Sequence, residues 1–505
     1  MLKEMKQKPL IMIGAATSGC GKTTFTLGLL RLLRNRGMKV QPFKCGPDYI
    51  DTKHHAMAAG EESVNLDTYM ASKAHVQELY ARYGAASDVC VTEGVMGLFD
   101  GYDGMKGSSA EIAELIGIPV VLVLNAKSTA YSVAPVLYGF KHFYPAIRVV
   151  GVVFNFVASE AHYVYLQQAC ADAGVEALGY IPKDESIVIP SRHLGLSIDE
   201  RFCFDAFADR VAEVIAKTVN VDRLLELCTV EFPGEQAEDV LCPGNRKIAV
   251  ARDEAFNFMY RENVEALKRA GEVVFFSPLR DKSLPDADLV YLPGGYPELH
   301  LPELTANEGM RQSVREYCEA GGRVLAECGG MMYLCDSITD SDGKVYPMAG
   351  VLKQGATMEQ MKLKLGYREV RVNDQSVRGH EFHYSRVLSG KEKIPVMGTV
   401  YNAKNMVVDT PVYAYKNVLA SYIHFYWGEC GVDRFLMLLG QRNKKVYRLG
   451  DSVKVKCSRV DIDNREVFFD IVESEQDLKE IVPSEETASI IAEIKKEFGT
   501  KQEDN

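Results

Sequence analysis

An apolar run, "PLIMIGA" at residues 9–15, leads through "ATSGCGKTT" into the amphipathic "FTLGLLRLL". Strand, glycine loop and helix in that order open a doubly wound, mostly parallel α/β sheet, because a buried strand feeding a helix must pack it back on the sheet. The rhythm continues in "KVQPFK", "SDVCVTEG", "IPVVLVLNA" and "IRVVGVVFNFV", apolar runs separated by amphipathic stretches. They read as strands buried on both faces. Residues 219–246 lose the rhythm, carry acids and two Pro-Gly pairs, and read as a linker between a first domain (1–218) and a second (247–435). The second α/β series runs from "KIAVARD" through "EVVFFSP", "ADLVYLPGG" and "RVLAECGG" to "LASYIHFYWG". A tail, 436–505, turns β-rich and then ends in a polar helical run.

At 505 residues the chain is too long for one ordinary core. Its formal charge of −11 opposes broad binding to nucleic acid or anionic membrane, so an acidic ligand must meet local positive groups. Twelve cysteines without a C-x-x-C pair suggest neither a zinc site nor a disulfide framework and fit a reducing cytoplasm. The N-terminal apolar run is too short for a signal peptide or a membrane span.

The first chemical site is the glycine loop. Backbone N–H groups around Gly19, Cys20 and Gly21 can wrap phosphate oxygens, Lys22 adds a point charge, the Thr23 hydroxyl can ligate Mg²⁺, and Thr24 completes the G-K-T-T run. The strict phosphate-loop pattern asks for glycine where Ala16 stands, and a partition-type ATPase would place a second lysine at Thr17. A Mg²⁺–nucleotide centre also needs carboxylates at neighbouring strand ends. Asp48 and Asp51 in "CGPDYID", with Glu93 and Asp100 in "TEGVMGLFDG", are candidates for metal ligation and substrate positioning, each alone readable as a solvated loop acid.

The second is "RVLAECGGMMYL", in which Cys328 sits between a strand and a helix. Such an elbow exposes a thiol, and the Gly329 N–H can face an oxyanion, with Gly294 and Gly295 in "LPGGYPE" as the other half of the hole. His424 in "SYIHFYWGE" is the candidate base. The residues alone leave Cys328 open between nucleophile and buried thiol.

"QPFKCGPDYIDTKHH", "NLDTYM", "TEGVMGLFDG", "IPSRHLGL", "YLPGGYPELH", "AECGGMMYL" and "RGHEFHYS", in this order, resemble the glutamine-dependent cobyrinic acid a,c-diamide synthase family over residues 9–430. The resemblance implies an N-terminal P-loop synthetase domain related to dethiobiotin synthetase, followed by a class I glutamine amidotransferase domain. That lineage uses a lengthened phosphate loop whose first glycine lies one residue earlier, which here is Ala15, preceded by Gly14. Carried over by position, Cys328 matches the glutaminase nucleophile and His424 its activating base. Glu93, Asp48 and Asp100 fall on motif acids associated with Mg²⁺–ATP or the reacting carboxylate, Tyr49 falls at the substrate-facing turn, and Arg192 and His193 are candidate contacts for substrate carboxylates. Tyr426 stands where many class I amidotransferases carry a third, acidic triad member, which leaves that role unassigned. The implied activity is that of a cytoplasmic ligase forming carbon–nitrogen bonds in cobalamin biosynthesis. ATP and glutamine are co-substrates, Mg²⁺ is the cofactor, cobyrinic acid is the acceptor, and a homodimer is the candidate assembly. Alternatives are amidation of another tetrapyrrole, as in nickel-sirohydrochlorin a,c-diamide synthase or cobyric acid synthase, and a non-catalytic nucleotide switch.

Within the tail, "YRLGDSVKVKCSRVD" resembles the later half of an S1-type RNA-binding domain, as at the end of bacterial exoribonuclease R. The earlier strands that usually carry the aromatic stacking platform are not legible before it, so RNA binding through the tail is the lesser reading and a fusion remnant the plainer one.

Overall fold

The computed structural model describes residues 7–187, 203–234, 244–372, 375–390, 393–432, 455–461 and 466–471, the last two by their backbone. Seven strands of the first half, β1 (Gln7–Ala15), β2 (Val40–Cys45), β3 (Val64–Leu66), β4 (Val89–Glu93), β5 (Val120–Asn125), β6 (Val149–Val157) and β7 (Glu176–Pro182), form a parallel sheet in the order β3-β2-β4-β1-β5-β6-β7. The apolar runs are continuous because both faces are covered: Leu10 and Met12 join one core cluster, Ile11 and Ile13 the other. Helix α1 (Lys22–Asn35) starts directly at the glycine loop, and α2 (Ile50–Ala59) follows β2. All these helices reach the sheet from the carboxyl ends of its strands, the edge at which such sheets hold ligands.

Residues 219–234 correct the linker expectation. A helix at Val221–Cys228 buries Val221, Leu224 and Cys228, and β8 (Thr229–Glu231) adds antiparallel to β1. Asp222 and Glu226, acids that made the stretch read as a linker, are its exposed positions. Two turns are too short for a helical period to stand out in the sequence.

In the second half, β9 (Arg246–Ala251), β10 (Gly271–Phe276), β11 (Leu289–Leu292) and β12 (Arg323–Glu327) build a sheet with the later strands β20 (Val412–Tyr415) and β21 (Val418–Ser421), in the order β10-β9-β11-β12-β21-β20. Between them lie β13 (Cys335–Thr339), β14 (Val345–Pro347), β15 (Leu352–Thr357), β16 (Lys364–Val372), β17 (Gln375–His383), β18 (Arg386–Leu388) and β19 (Thr399–Asn402), which make two smaller sheets. The sheet β19-β16-β17 is completed by β22 (Ile423–Phe425), so that His380 and His424 lie directly opposite each other. Phe258, Tyr260 and Tyr426 of this half belong to the same core cluster as one face of the first sheet.

The chain forms two compact units, 1–440 and 441–505. In the second, β23 (Val455–Asp461) and β24 (Glu466–Ile471) pair antiparallel, and the rest of the S1-like stretch lies outside the described residues, as do Arg192 and His193.

Candidate active sites in the two halves

The glycine loop carries two left-handed glycines, Gly19 (φ 79°) and Gly21 (φ 95°), a conformation that side chains disfavour. It is braced from below by Asn155, whose Nδ2 donates to the Cys20 carbonyl at 3.0 Å. A cavity of about 480 Å³ opens over it, bordered by Gly19, Gly21, Lys22, Thr23, Thr24, Asp48, Asp51 and Glu93. Cys20 is buried beneath the loop. Backbone donors, a lysine and a hydroxyl thus converge at the start of α1, as a triphosphate requires.

The acids behind the loop are organised by a buried lysine that sequence reading did not single out. Strand register places Lys44 of β2 beside Glu93 of β4, and its Nζ donates to Asp51 at 2.6 Å and to Glu93 at 2.9 Å. Glu93 also accepts from Thr23 Oγ1 at 2.7 Å and meets His55 Nε2 at 2.6 Å. Burial pushes the Glu93 carboxyl up, but Lys44 and His55 outweigh it and hold it below its usual value. Lys22 differs: burial lowers its pKa, against the pull of Glu93, and its Nζ donates to the Met96 carbonyl at 2.5 Å. Asp48 caps α2 by accepting from the Ile50 and Asp51 amides at 2.9 and 2.8 Å. Burial, reinforced by Asp51, raises it to about 6.

Thr23, Asp48 and Glu93 therefore border one cavity, and a hydroxyl with one or two carboxylates suits Mg²⁺, which keeps waters and phosphate oxygens as its other ligands. Among the described residues no group of three or more His, Cys, Asp or Glu side chains forms a separate metal cage. Asp100 is exposed and accepts from the Gly97 amide at 2.9 Å, which braces the loop after β4.

At the other site Cys328 occupies the turn between β12 and the helix Gly329–Leu334 with φ 46° and ψ −105°, a strained elbow for a residue with a side chain. A Cβ placed at Gly294 would come within 2.1 Å of the His424 ring, and one at Gly329 within 3.1 Å of the Gly295 amide nitrogen. These close approaches set His424 against Gly294 and Gly329 against Gly295, while the Cys328 thiol next to Gly329 points at the Phe382 carbonyl, 3.8 Å away. Burial raises the Cys328 thiol well above its usual pKa and lowers His424 to about 3, with His380 and His383 adding to the effect. The resting pair is thiol and neutral imidazole.

His424 Nδ1 is buried without a hydrogen-bond partner among the described residues, and the Glu327 carboxylate stands 4.0 Å from it. Glu327, immediately before the cysteine, accepts from Tyr291 Oη at 2.8 Å and from the Phe425 amide at 3.0 Å. It thereby ties β12 to β22 next to the histidine. A strand-end glutamate ordinarily reads as solvated, which is why the sequence hid it. Burial raises Glu327 from 4.5 to about 8. The folded chain then holds a proton that the unfolded chain has released, so the stability it contributes is present below about pH 4.5 and lost as pH rises through about 8. Glu327→Gln should remove this slope. Thermal unfolding from pH 5 to 9 is expected to show the variant gaining on the parent by roughly 2–4 kcal/mol toward the alkaline end, and parallel curves would contradict it.

Between the sites lies a third feature. Tyr49, expected at a substrate-facing turn, is 7% exposed, its ring stacked on Phe258 at 5.4 Å and tilted against His424 at 4.9 Å. The start of α2 sends consecutive side chains different ways, so Asp48 borders the nucleotide cavity while Tyr49 enters the aromatic cluster of the other half. A cavity of about 530 Å³, bordered by Asp48, Met96, Tyr102, Tyr367, Arg368 and His380, adjoins the first through shared residues Asp48, Val95 and Met96.

Comparison with known proteins follows this division. Residues 11–196 match the family model of the CobQ/CobB/MinD/ParA nucleotide binding domain, and residues 247–431 that of the CobB/CobQ-like glutamine amidotransferase domain. Cobyrinate a,c-diamide synthase of Salmonella typhimurium is 37% identical over 435 residues, 83% of this chain and 95% of that protein. The protein of the same name from Caldanaerobacter subterraneus is 38% identical over 85% of this chain and 97% of its own length. Hydrogenobyrinate a,c-diamide synthase of Pseudomonas aeruginosa is 39% identical over 83% and 94%. Among the described residues no helix is long and apolar enough to cross a membrane.

Proposed function

Because the chain belongs to the cobyrinate a,c-diamide synthase family, whose members are glutamine-dependent amidating ligases, we propose that it amidates the a and c carboxylates of cobyrinic acid through acyl phosphates. The observation that carries this reading is the adjacency of the two cavities at Asp48, Val95 and Met96. An acceptor carboxylate seated there meets the terminal phosphate held over Lys22. The second cavity is walled by Tyr102 and Tyr367, whose rings meet edge to face at 5.6 Å, with Arg368 and Lys404 on its border. Aromatic faces suit a flat macrocycle and the cations suit its carboxylates. Its volume admits one edge of a tetrapyrrole, which is the edge that reacts.

A carboxylate resists ammonia because it is anionic and its oxygen leaves poorly. Transfer of the γ-phosphoryl group to it converts that oxygen into phosphate, a good leaving group, and Lys22 and the loop amides stabilise the charge moved. Mg²⁺ would be held by Thr23 and Glu93 with Asp48 near by, and would supply positive charge against the phosphates. Lys44 and His55 fix Glu93 in place. In the second half the Cys328 thiol passes its proton to His424 and attacks the glutamine amide. The oxyanion is met by the N–H groups around Gly294, Gly295 and Gly329, ammonia leaves with the proton returned by His424, and water clears the glutamyl thioester. The Glu327 side chain, 4.0 Å from His424 Nδ1, takes the third position and orients the imidazole, as a carboxylic acid at neutral pH.

The test is direct. Purified protein with ATP, Mg²⁺ and glutamine is offered cobyrinic acid, hydrogenobyrinic acid or nickel-sirohydrochlorin, and products are followed by mass spectrometry. Replacement of two carboxylates by amides on cobyrinic acid is expected. Exclusive conversion of either other ring would transfer the assignment to it.

A further inference from the structure

We infer that ammonia travels from Cys328 to the acyl phosphate along one face of the β17–β22 pair, and that His380 receives it at the mouth of the acceptor cavity. This rests on the functional reading above and adds a residue and a path to it.

His380 and His424 are directly opposite in an antiparallel pair, which places their side chains on the same face, next to each other. His424 is packed on Gly294 beside the nucleophile, while His380 borders the acceptor cavity with Asp48, Met96 and Arg368. One imidazole thus stands at the origin of the ammonia and its neighbour at the destination. His380 is 7% exposed, and its Nδ1 is buried with no hydrogen-bond partner among the described residues. A buried nitrogen left unpaired is costly unless something polar visits it, and ammonia, a small donor and acceptor, is such a visitor.

The surroundings favour neutral ammonia over ammonium. Burial, with Arg368 second, lowers His380 to about 3, so the ring stays uncharged and offers a lone pair. Tyr367 and Phe382 flank it at 5.8 and 6.4 Å, and Tyr49 closes over His424, an aromatic lining that resists a hydrated cation and bulk water. No bond is made or broken at His380. The ammonia nitrogen forms its bond to the acyl carbon in the cavity beyond, where phosphate leaves with the electron pair of the broken carbon–oxygen bond and takes the proton that the nitrogen sheds.

The experiment compares nitrogen sources in the full chain. His380→Phe and the smaller, polar His380→Asn are assayed on cobyrinic acid with ATP, using glutamine or ammonium chloride, and glutamate released is counted against amide formed. With His380→Phe, glutamine-supported amidation is expected to fall at least about tenfold further than ammonium-supported amidation, and glutamate per amide to rise by a similar factor. His380→Asn, which keeps a polar group in place, is expected to lie between the parent and the phenylalanine variant. Equal losses with both sources, or an unchanged glutamate-to-amide ratio in both variants, would overturn the inference and make His380 a wall of the acceptor cavity. Failure of the functional reading would show separately, as no amidation of cobyrinic acid by the unaltered chain from either source, and would take the inference with it.

Discussion

Replacing Cys328 by alanine is expected to lower glutamine-supported amidation by about four orders of magnitude or more, while amidation supported by ammonium salts continues. In the proposed reaction the thiol, next to Gly329 and the Gly294–His424 contact, serves only the glutaminase step, and the activating half uses a separate set of groups around Lys22 and Glu93. Alanine inherits the strained φ of 46° at the elbow, so the fold loses a sulfur and keeps its backbone problem. Cys328→Ser should fail almost as fully, because a hydroxyl is harder to deprotonate than a thiol and a His424 held near 3 is a weak base toward it. Steady-state rates with each nitrogen source check the claim. Equal loss from both sources would mean that Cys328 serves the synthetase half as well, and the division of labour would fail.

What the sequence disclosed and withheld follows from the range of the interactions. The glycine loop, the strand runs and the elbow at Cys328 are local patterns, each complete within about a dozen residues, and they were legible. The cluster behind the loop was not, because Lys44 reads as an interruption in an apolar strand until the order β2-β4 sets it beside Glu93. His55 reads as a helix histidine until the packing of α2 sets it against that carboxylate. The opposition of His380 and His424 depends on a register fixed by strands more than forty residues apart in sequence, which no local period encodes. Tyr49 was expected, from the resemblance, at a substrate-facing turn, and its ring is held in the aromatic cluster around His424 by packing partners distant in sequence. Asp48 and Tyr49 thereby link the cavity over the glycine loop to His424 through one peptide bond.

The two lysines of the nucleotide site should separate catalysis from stability. Lys22→Met is expected to cut ATP-dependent amidation by about a thousandfold, since it removes a charge aimed at the transferring phosphoryl group, and to change stability little, because the side chain bonds only the Met96 carbonyl among the described residues. Lys44→Met should also abolish activity, but through the fold. Burial alone would lower the Lys44 ammonium, yet Asp51 and Glu93 hold it above its usual value, and removing it leaves two acids buried against each other. Breaking such a network costs about 3–5 kcal/mol. The cost should grow with pH: in the variant one of the two acids takes up a proton to relieve the repulsion, its folded pKa rises above the unfolded value, and the associated stability is lost as pH climbs past it. Thermal unfolding of both variants at pH 5 and 8 distinguishes the roles. Coincident melting of Lys44→Met and Lys22→Met at pH 8 would show that Lys44 is not the charge around which Thr23, Asp51, His55 and Glu93 are assembled.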